Sequence, residues 1–132
     1  MQVTALSPAP RPTVLLIEDH DDTREMYADY LSLVGGLEVV DIAGPTDALD
    51  VALKVHPDII VTSDALGRFG AVAVCRTLQA EPATSHIPVI ILTARAMPTA
   101  LAEMRAACAD VLIKPCLPED LLARVRAVAT RG

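Results

Sequence analysis

Val14-Leu15-Leu16-Ile17 is an unbroken apolar run with no alternation, the pattern of a strand covered on both faces of a parallel sheet. It ends abruptly in charge at Glu18. Asp22-Thr23-Arg24-Glu25 then offers a helix cap with a glutamate three residues on, Met26, Tyr30 and Leu33 follow at helical spacing, and Gly35-Gly36 stops the helix. The same unit recurs. Residues 37–42 predict a second strand, and Pro45 opens a helix carrying Ala48, Leu49, Ala52 and Val55. Residues 59–62, 89–92 and 111–113 predict the third, fourth and fifth strands. Helices are predicted over 72–78, about 99–107 (alanine-rich) and 118–130, the last with Leu121, Leu122, Val125 and Val128 facing inward. Five strands alternating with five helices predict an α/β fold with one doubly wound, five-stranded parallel sheet, because crossovers between parallel strands are right-handed and need helices.

Composition narrows the class. At 132 residues and 52% hydrophobic, with no repeat or low-complexity block, the chain fits a single domain with an ordinary core. Pro8, Pro10 and Pro12 predict a disordered leader over 1–12, with the domain at 13–131. The net charge of −6 and a pI near 4.9 argue against nucleic acid as a ligand of this domain, since phosphate backbones are held by clustered Lys and Arg. One Phe, two Tyr and no Trp leave few platforms for base stacking. The opening residues do not read as a signal peptide, and no run approaches the ~18 apolar residues of a membrane span. A cytoplasmic protein without membrane contact is expected. Cys75, Cys108 and Cys116 are odd in number, without metal-type spacing, and read as free thiols buried as small apolar residues. The end at Arg131-Gly132, just after a helix, suits either a stand-alone protein or an amino-terminal domain.

Ligands of doubly wound sheets bind at the carboxyl ends of the strands. Glu18-Asp19, Ser63-Asp64, Thr93 and Lys114 all stand at such ends, so they are expected to converge in one crevice. Two adjacent carboxylates can hold a hard, oxygen-seeking cation that keeps several waters, which describes magnesium. Alternatively, 18–22 is a solvated acidic loop capping a helix. Lys114, followed by Pro115, can pair with a phosphoryl oxygen or with the carboxylates, and the Thr93 hydroxyl can bond another oxygen. Taken singly, Lys114 reads as a surface charge and Thr93 as a turn residue. His20 reads either as a contact at the pocket mouth or as an exposed loop residue, while His56 and His86 read as turn residues. Gly67 and Gly70 are too isolated for a phosphate-cradling loop.

As a set, Val14-Leu15-Leu16-Ile17-Glu18-Asp19, Arg24-Glu25-Met26, the stretch 57–63, Val74-Cys75-Arg76, the stretch 87–94 and Ile113-Lys114-Pro115 resemble the response-regulator receiver domain of two-component signalling, over nearly all of residues 12–130. The resemblance implies strand order 2-1-3-4-5 and magnesium-assisted transfer of a phosphoryl group from a histidine kinase to an aspartate ending the third strand. It assigns Glu18 and Asp19 to the metal, with a weak contribution from the Ala65 backbone. Thr93 becomes the switch hydroxyl, and Lys114 the phosphate-contacting lysine, with a cis bond to Pro115. A partner, either the kinase or an output protein, would dock on the fourth helix, fifth strand and fifth helix.

Three positions depart from the family's pattern. Ser63 stands at the acceptor site, Val111 at the switch aromatic, and 65–71 lacks the usual proline and Asp-Gly. A serine hydroxyl is a poor nucleophile without a base and brings no charge to a metal. The expectation is therefore a degenerate receiver, a fixed signalling module with at most weak Mg2+ affinity and no enzymatic activity. A one-residue slip of the third strand would instead make Asp64 the acceptor, and the apolar pattern on both faces permits it. A different class also stays open: 17–23 loosely resembles the D-x-D-x-T stretch of haloacid-dehalogenase-type phosphatases, with Asp19 as nucleophile, Asp21 as acid, and Thr93 and Lys114 binding phosphate. There, Asp22 stands where a glycine is usual.

Overall fold

The computed structural model describes residues 11–64 and 70–129. The strands are β1 (Thr13–Ile17), β2 (Glu38–Ile42), β3 (Ile59–Ser63), β4 (Val89–Thr93) and β5 (Asp110–Ile113). They pair in parallel in the order β2-β1-β3-β4-β5, as the resemblance implied. Their sequences explain their places. β1, β3 and β4 are built on apolar runs, are buried through nearly their whole lengths and lie in the middle of the sheet, whereas β2 carries exposed Glu38 and Asp41 and forms an edge.

The helices are α1 (Asp21–Asp29), α2 (Ala48–Val55, entered through a 3-10 turn at Pro45–Asp47), α3 (Ala71–Ala80), α4 (Pro98–Ala107) and α5 (Pro118–Ala129). Alternation along the strands divides the core into two layers. Leu15, Ile17, Ile60, Val89, Ile91 and Val111 face α2, α3 and α4; Val14, Leu16, Ile59, Val61, Ile90 and Leu92 face α1 and α5.

Local chemistry moves several predicted boundaries. The cap of α1 is His20, not Asp22: its Nδ1 accepts the Thr23 N–H at 3.2 Å and lies 2.9 Å from Thr23 Oγ1. The predicted first helix ends in a π turn at Tyr30–Val34, where the Gly35 N–H donates to the Tyr30 carbonyl. Gly35 is required there by close approach. A Cβ would sit 2.5 Å from the Leu31 carbonyl oxygen and 2.7 Å from Leu122 Cδ1. Gly36 then leaves the helix at φ +68.

The domain starts before residue 13. Arg11 pairs with Glu38 at 2.6 Å, and the Glu38 N–H donates to the Pro12 carbonyl at 3.0 Å, so these two residues belong to the fold rather than to the leader. Residues 1–10 of the predicted leader, the predicted end of the last helix at Thr130, and residue 131 of the domain lie outside the described residues. Of the three thiols, Cys75 is fully buried, and Cys108 and Cys116 are partly so. Burial pushes the Cys75 thiol up to about 12.

Candidate functional site at the carboxyl edge of the sheet

The same alternation sorts the predicted crevice residues into two groups. Glu18 continues the face of Val14 and Leu16, Ser63 that of Ile59 and Val61, and Lys114 that of Leu112, all on the α1–α5 side. Asp64 and Thr93 continue the opposite face, with Ile60 and with Ile91. The crevice is therefore two half-sites, one on each side of the strand ends.

In the first half-site the Lys114 ammonium donates to Glu18 Oε1 and to Ser63 Oγ, both at 3.1 Å. Ser63 is 1% exposed and Glu18 is equally buried. The Lys114-Pro115 bond is cis. Glu18 is held further by the His20 N–H at 3.1 Å. Burial would push its carboxyl up, but His20, Asp19 and Lys114 outweigh that and hold it below the ordinary glutamate value. Asp19, exposed beside it, is pushed up by desolvation and by the neighbouring Glu18 carboxylate. Two carboxylates crowded in this way suit a divalent cation as hard oxygen donors. Of the other implied ligands, Ser63 is neutral and Ala65 lies outside the described residues. Among the described residues there is no cluster of three or more His, Cys, Asp or Glu side chains suited to a metal.

The second half-site centres on Asp64. Its carboxylate accepts from Thr93 Oγ1 at 3.0 Å, from Arg95 Nε at 2.6 Å and Nη2 at 3.2 Å, and from the Ala71 N–H at 3.2 Å. Ala71 opens α3, so Asp64 also places a negative charge at that helix's positive end. Burial would raise the Asp64 carboxyl, but Arg95, Ala71 and Thr93 together hold it below the ordinary aspartate value. The Thr93 hydroxyl, donating to Asp64, accepts the Arg95 N–H at 3.0 Å.

This arrangement corrects several expectations. Asp64 is not in the Lys114 pocket; the register Thr62↔Ile91 and Ser63↔Leu92 turns it to the other face. The Thr93 hydroxyl is directed at Asp64, not into the Ser63 pocket. Val111, at the position of the switch aromatic, is buried in the core, opposite Ile91 and in the same cluster as Met104. His20 is a helix cap. Asp21 is engaged by Arg24 at 2.7 Å, and the Thr93 hydroxyl and the Lys114 ammonium lie on opposite faces. Sequence reasoning missed two residues. Arg95 stands between the predicted fourth strand and fourth helix, and no periodicity links it to Asp64. Arg24 donates to the Glu18 carbonyl at 2.8 Å and pairs with Asp41 at 3.3 Å, tying the acidic loop to β2; its signals were its place in the first helix and in the Arg24-Glu25-Met26 stretch of the resemblance.

Comparison with known proteins gives a consistent picture. The family model of the response regulator receiver domain matches residues 14–126. A probable transcriptional regulator ycf27 of Porphyridium aerugineum is 29% identical over 89% of this chain and 48% of its own length. The DNA-binding response regulator MtrA of Mycolicibacterium paratuberculosis is 29% identical over 92% of this chain and 53% of its own. The chain thus spans about half the length of the curated relatives it matches. Chemotaxis protein CheY4 of Vibrio cholerae superposes with a TM-score of 0.82 at 25% identity, covering 89% of this chain and 98% of that one.

Proposed function

The chain belongs to the response regulator receiver domain family of two-component signalling, and from that premise we propose that it is a protein-interaction module held in one state rather than a phosphoryl acceptor. The observation that carries this is the environment of Ser63. Its hydroxyl receives a hydrogen bond from an ammonium that is itself paired with Glu18. A donor cannot take the serine proton, so the hydroxyl has no activating base in Lys114. Asp64, the carboxylate that follows Ser63 at the end of β3, is engaged by Arg95 and Thr93 on the opposite face.

Glu18 and Asp19 would hold Mg2+, which in this family supplies charge neutralisation for an incoming phosphoryl group. Affinity is weak, because Lys114 already balances Glu18 and Ser63 adds no charge. Exposed Met97, Ile113 and Leu117 (68%, 43% and 60%) border α4, β5 and α5 and support docking of a signalling protein, a kinase or an output partner, on that face. Among the described residues no helix is long and apolar enough to cross a membrane. The relatives' names support an output in transcription.

The test is intact mass of the chain after incubation with acetyl phosphate and magnesium, beside a competent receiver. The expected result is no added phosphoryl group on the wild type and one on Ser63→Asp. A single phosphoryl group on the wild type overturns the reading.

A further inference from the structure

We propose that Asp64 is a built-in substitute for a phosphoryl group: its carboxylate occupies the Thr93 hydroxyl and, with Arg95, clamps the β4–α4 loop in one conformation. This deepens the fixed-module reading and rests on it.

The geometry has three parts. Thr93 ends β4, and its hydroxyl donates its proton to Asp64 Oδ2 and accepts the Arg95 N–H. Arg95 returns from the loop to grip both carboxylate oxygens, a planar two-point contact that fixes orientation as well as distance. Asp64 is itself anchored to the start of α3 through the Ala71 N–H. The loop from Thr93 to Pro98, which leads into α4 and carries exposed Met97, is thus tied at its root to β3 and α3 rather than to the Ser63 pocket.

A hydroxyl on the opposite face, bonded to a fixed anion, has to lose that anion before it can answer any event at Ser63. Conformational change needs a differential interaction with two states, and here a permanent charge already favours one of them. Asp64 and Arg95 are positioning residues in this scheme, and the docking face inherits their constraint.

Amide hydrogen exchange of the full chain, read residue by residue, tests the clamp. Asp64→Asn and Arg95→Ala should each speed exchange at the residue-95 amide about tenfold, the factor for losing one hydrogen bond of ordinary net strength. Ser63→Ala should leave it unchanged. Arg95 is 55% exposed along its side chain, so its alanine variant keeps the fold even if the Asp64 variant does not. Unchanged exchange in Arg95→Ala, or equal acceleration in Ser63→Ala, overturns the proposal.

A second arm separates the clamp from the reading beneath it. In Ser63→Asp, beryllium fluoride with magnesium should leave the signals of residues 93–97 in place, whereas adding Asp64→Ala should let them move. Movement in the single variant overturns the clamp. Failure of beryllium fluoride to bind either variant, seen by fluorine resonance, counts against the receiver-pocket reading, and the exchange comparison still judges the clamp.

Discussion

Asp64→Ala should destabilise the domain by about 3 kcal/mol, more than any other single change at the carboxyl edge. The deletion strands the Thr93 hydroxyl and the Ala71 N–H, both fully buried, at about 1–3 kcal/mol each, reduced where water enters the space left by the carboxylate. The Arg95 ion pair adds under ~1 kcal/mol, because its guanidinium is half-exposed and re-solvates. Loss of the negative charge at the start of α3 adds about 0.5 kcal/mol. For a domain of this size the total corresponds to roughly 10 °C in Tm. Arg95→Ala alone should cost about 1–2 kcal/mol: Asp64 keeps Thr93 and Ala71, but its carboxylate, unlike the guanidinium, stays buried and loses its charged donor. The double variant should cost no more than Asp64→Ala, because Arg95 acts through Asp64, giving a coupling of about 1 kcal/mol or more. Urea titrations of the four proteins measure this as shifts in midpoint at constant slope. Additive losses, or an Asp64→Ala cost below that of Arg95→Ala, would refute the reasoning.

The first half-site and the core yield further expectations. Ser63→Ala should change stability by less than about 1 kcal/mol, because Lys114 keeps its Glu18 partner; a larger loss in a urea titration would mean the hydroxyl carries the pair. Ser63→Asp should raise Mg2+ affinity in calorimetry by at least about tenfold through a third carboxylate beside Glu18 and Asp19, and an unchanged isotherm would show that the donor set does not converge. Burial, with the charges of Cys116 and Glu18, pushes the Tyr27 phenol up to about 12, and its O–H donates to the Cys116 carbonyl at 2.7 Å. Because the folded value lies above the unfolded one of about 10, this contribution to stability is complete below pH ~10 and is lost as pH rises toward 12. In Tyr30→Phe, where Tyr27 is the sole tyrosine, phenolate absorbance should therefore appear only near pH 12; ionisation near pH 10 in the folded protein would refute the assignment. Gly35→Ala should cost about 1–3 kcal/mol, as the new Cβ meets the Leu31 carbonyl and Leu122; a neutral melting curve would contradict the close approach.

The sheet and its helices were legible because their signals are local. The unbroken apolar run Val14-Leu15-Leu16-Ile17 suits a strand covered on both faces of a parallel sheet, and the pair Gly35-Gly36 lets the chain pass close to Leu31 and leave the helix at positive φ. Glu18, Ser63 and Lys114 were likewise legible, since each closes an apolar run at the edge where such sheets bind ligands, and the structure brings these three together. The cap at His20 was not, because an imidazole acceptor depends on the turn that presents it.

The partition of the crevice belongs to tertiary structure alone. Ser63 and Asp64 are neighbours in the chain, and either can be drawn into the pocket on paper. Only the register of β3 between β1 and β4 decides which faces Lys114. The choice matters because the pleat sends consecutive side chains to opposite faces. Arg95 lies 31 residues beyond Asp64, and its reach back to that carboxylate is set by the loop leaving β4, which no periodicity describes. The sequence by itself determined which residues crowd the carboxyl edge. Strand register and loop geometry decided that they form two half-sites, one around Lys114 and the other around Asp64.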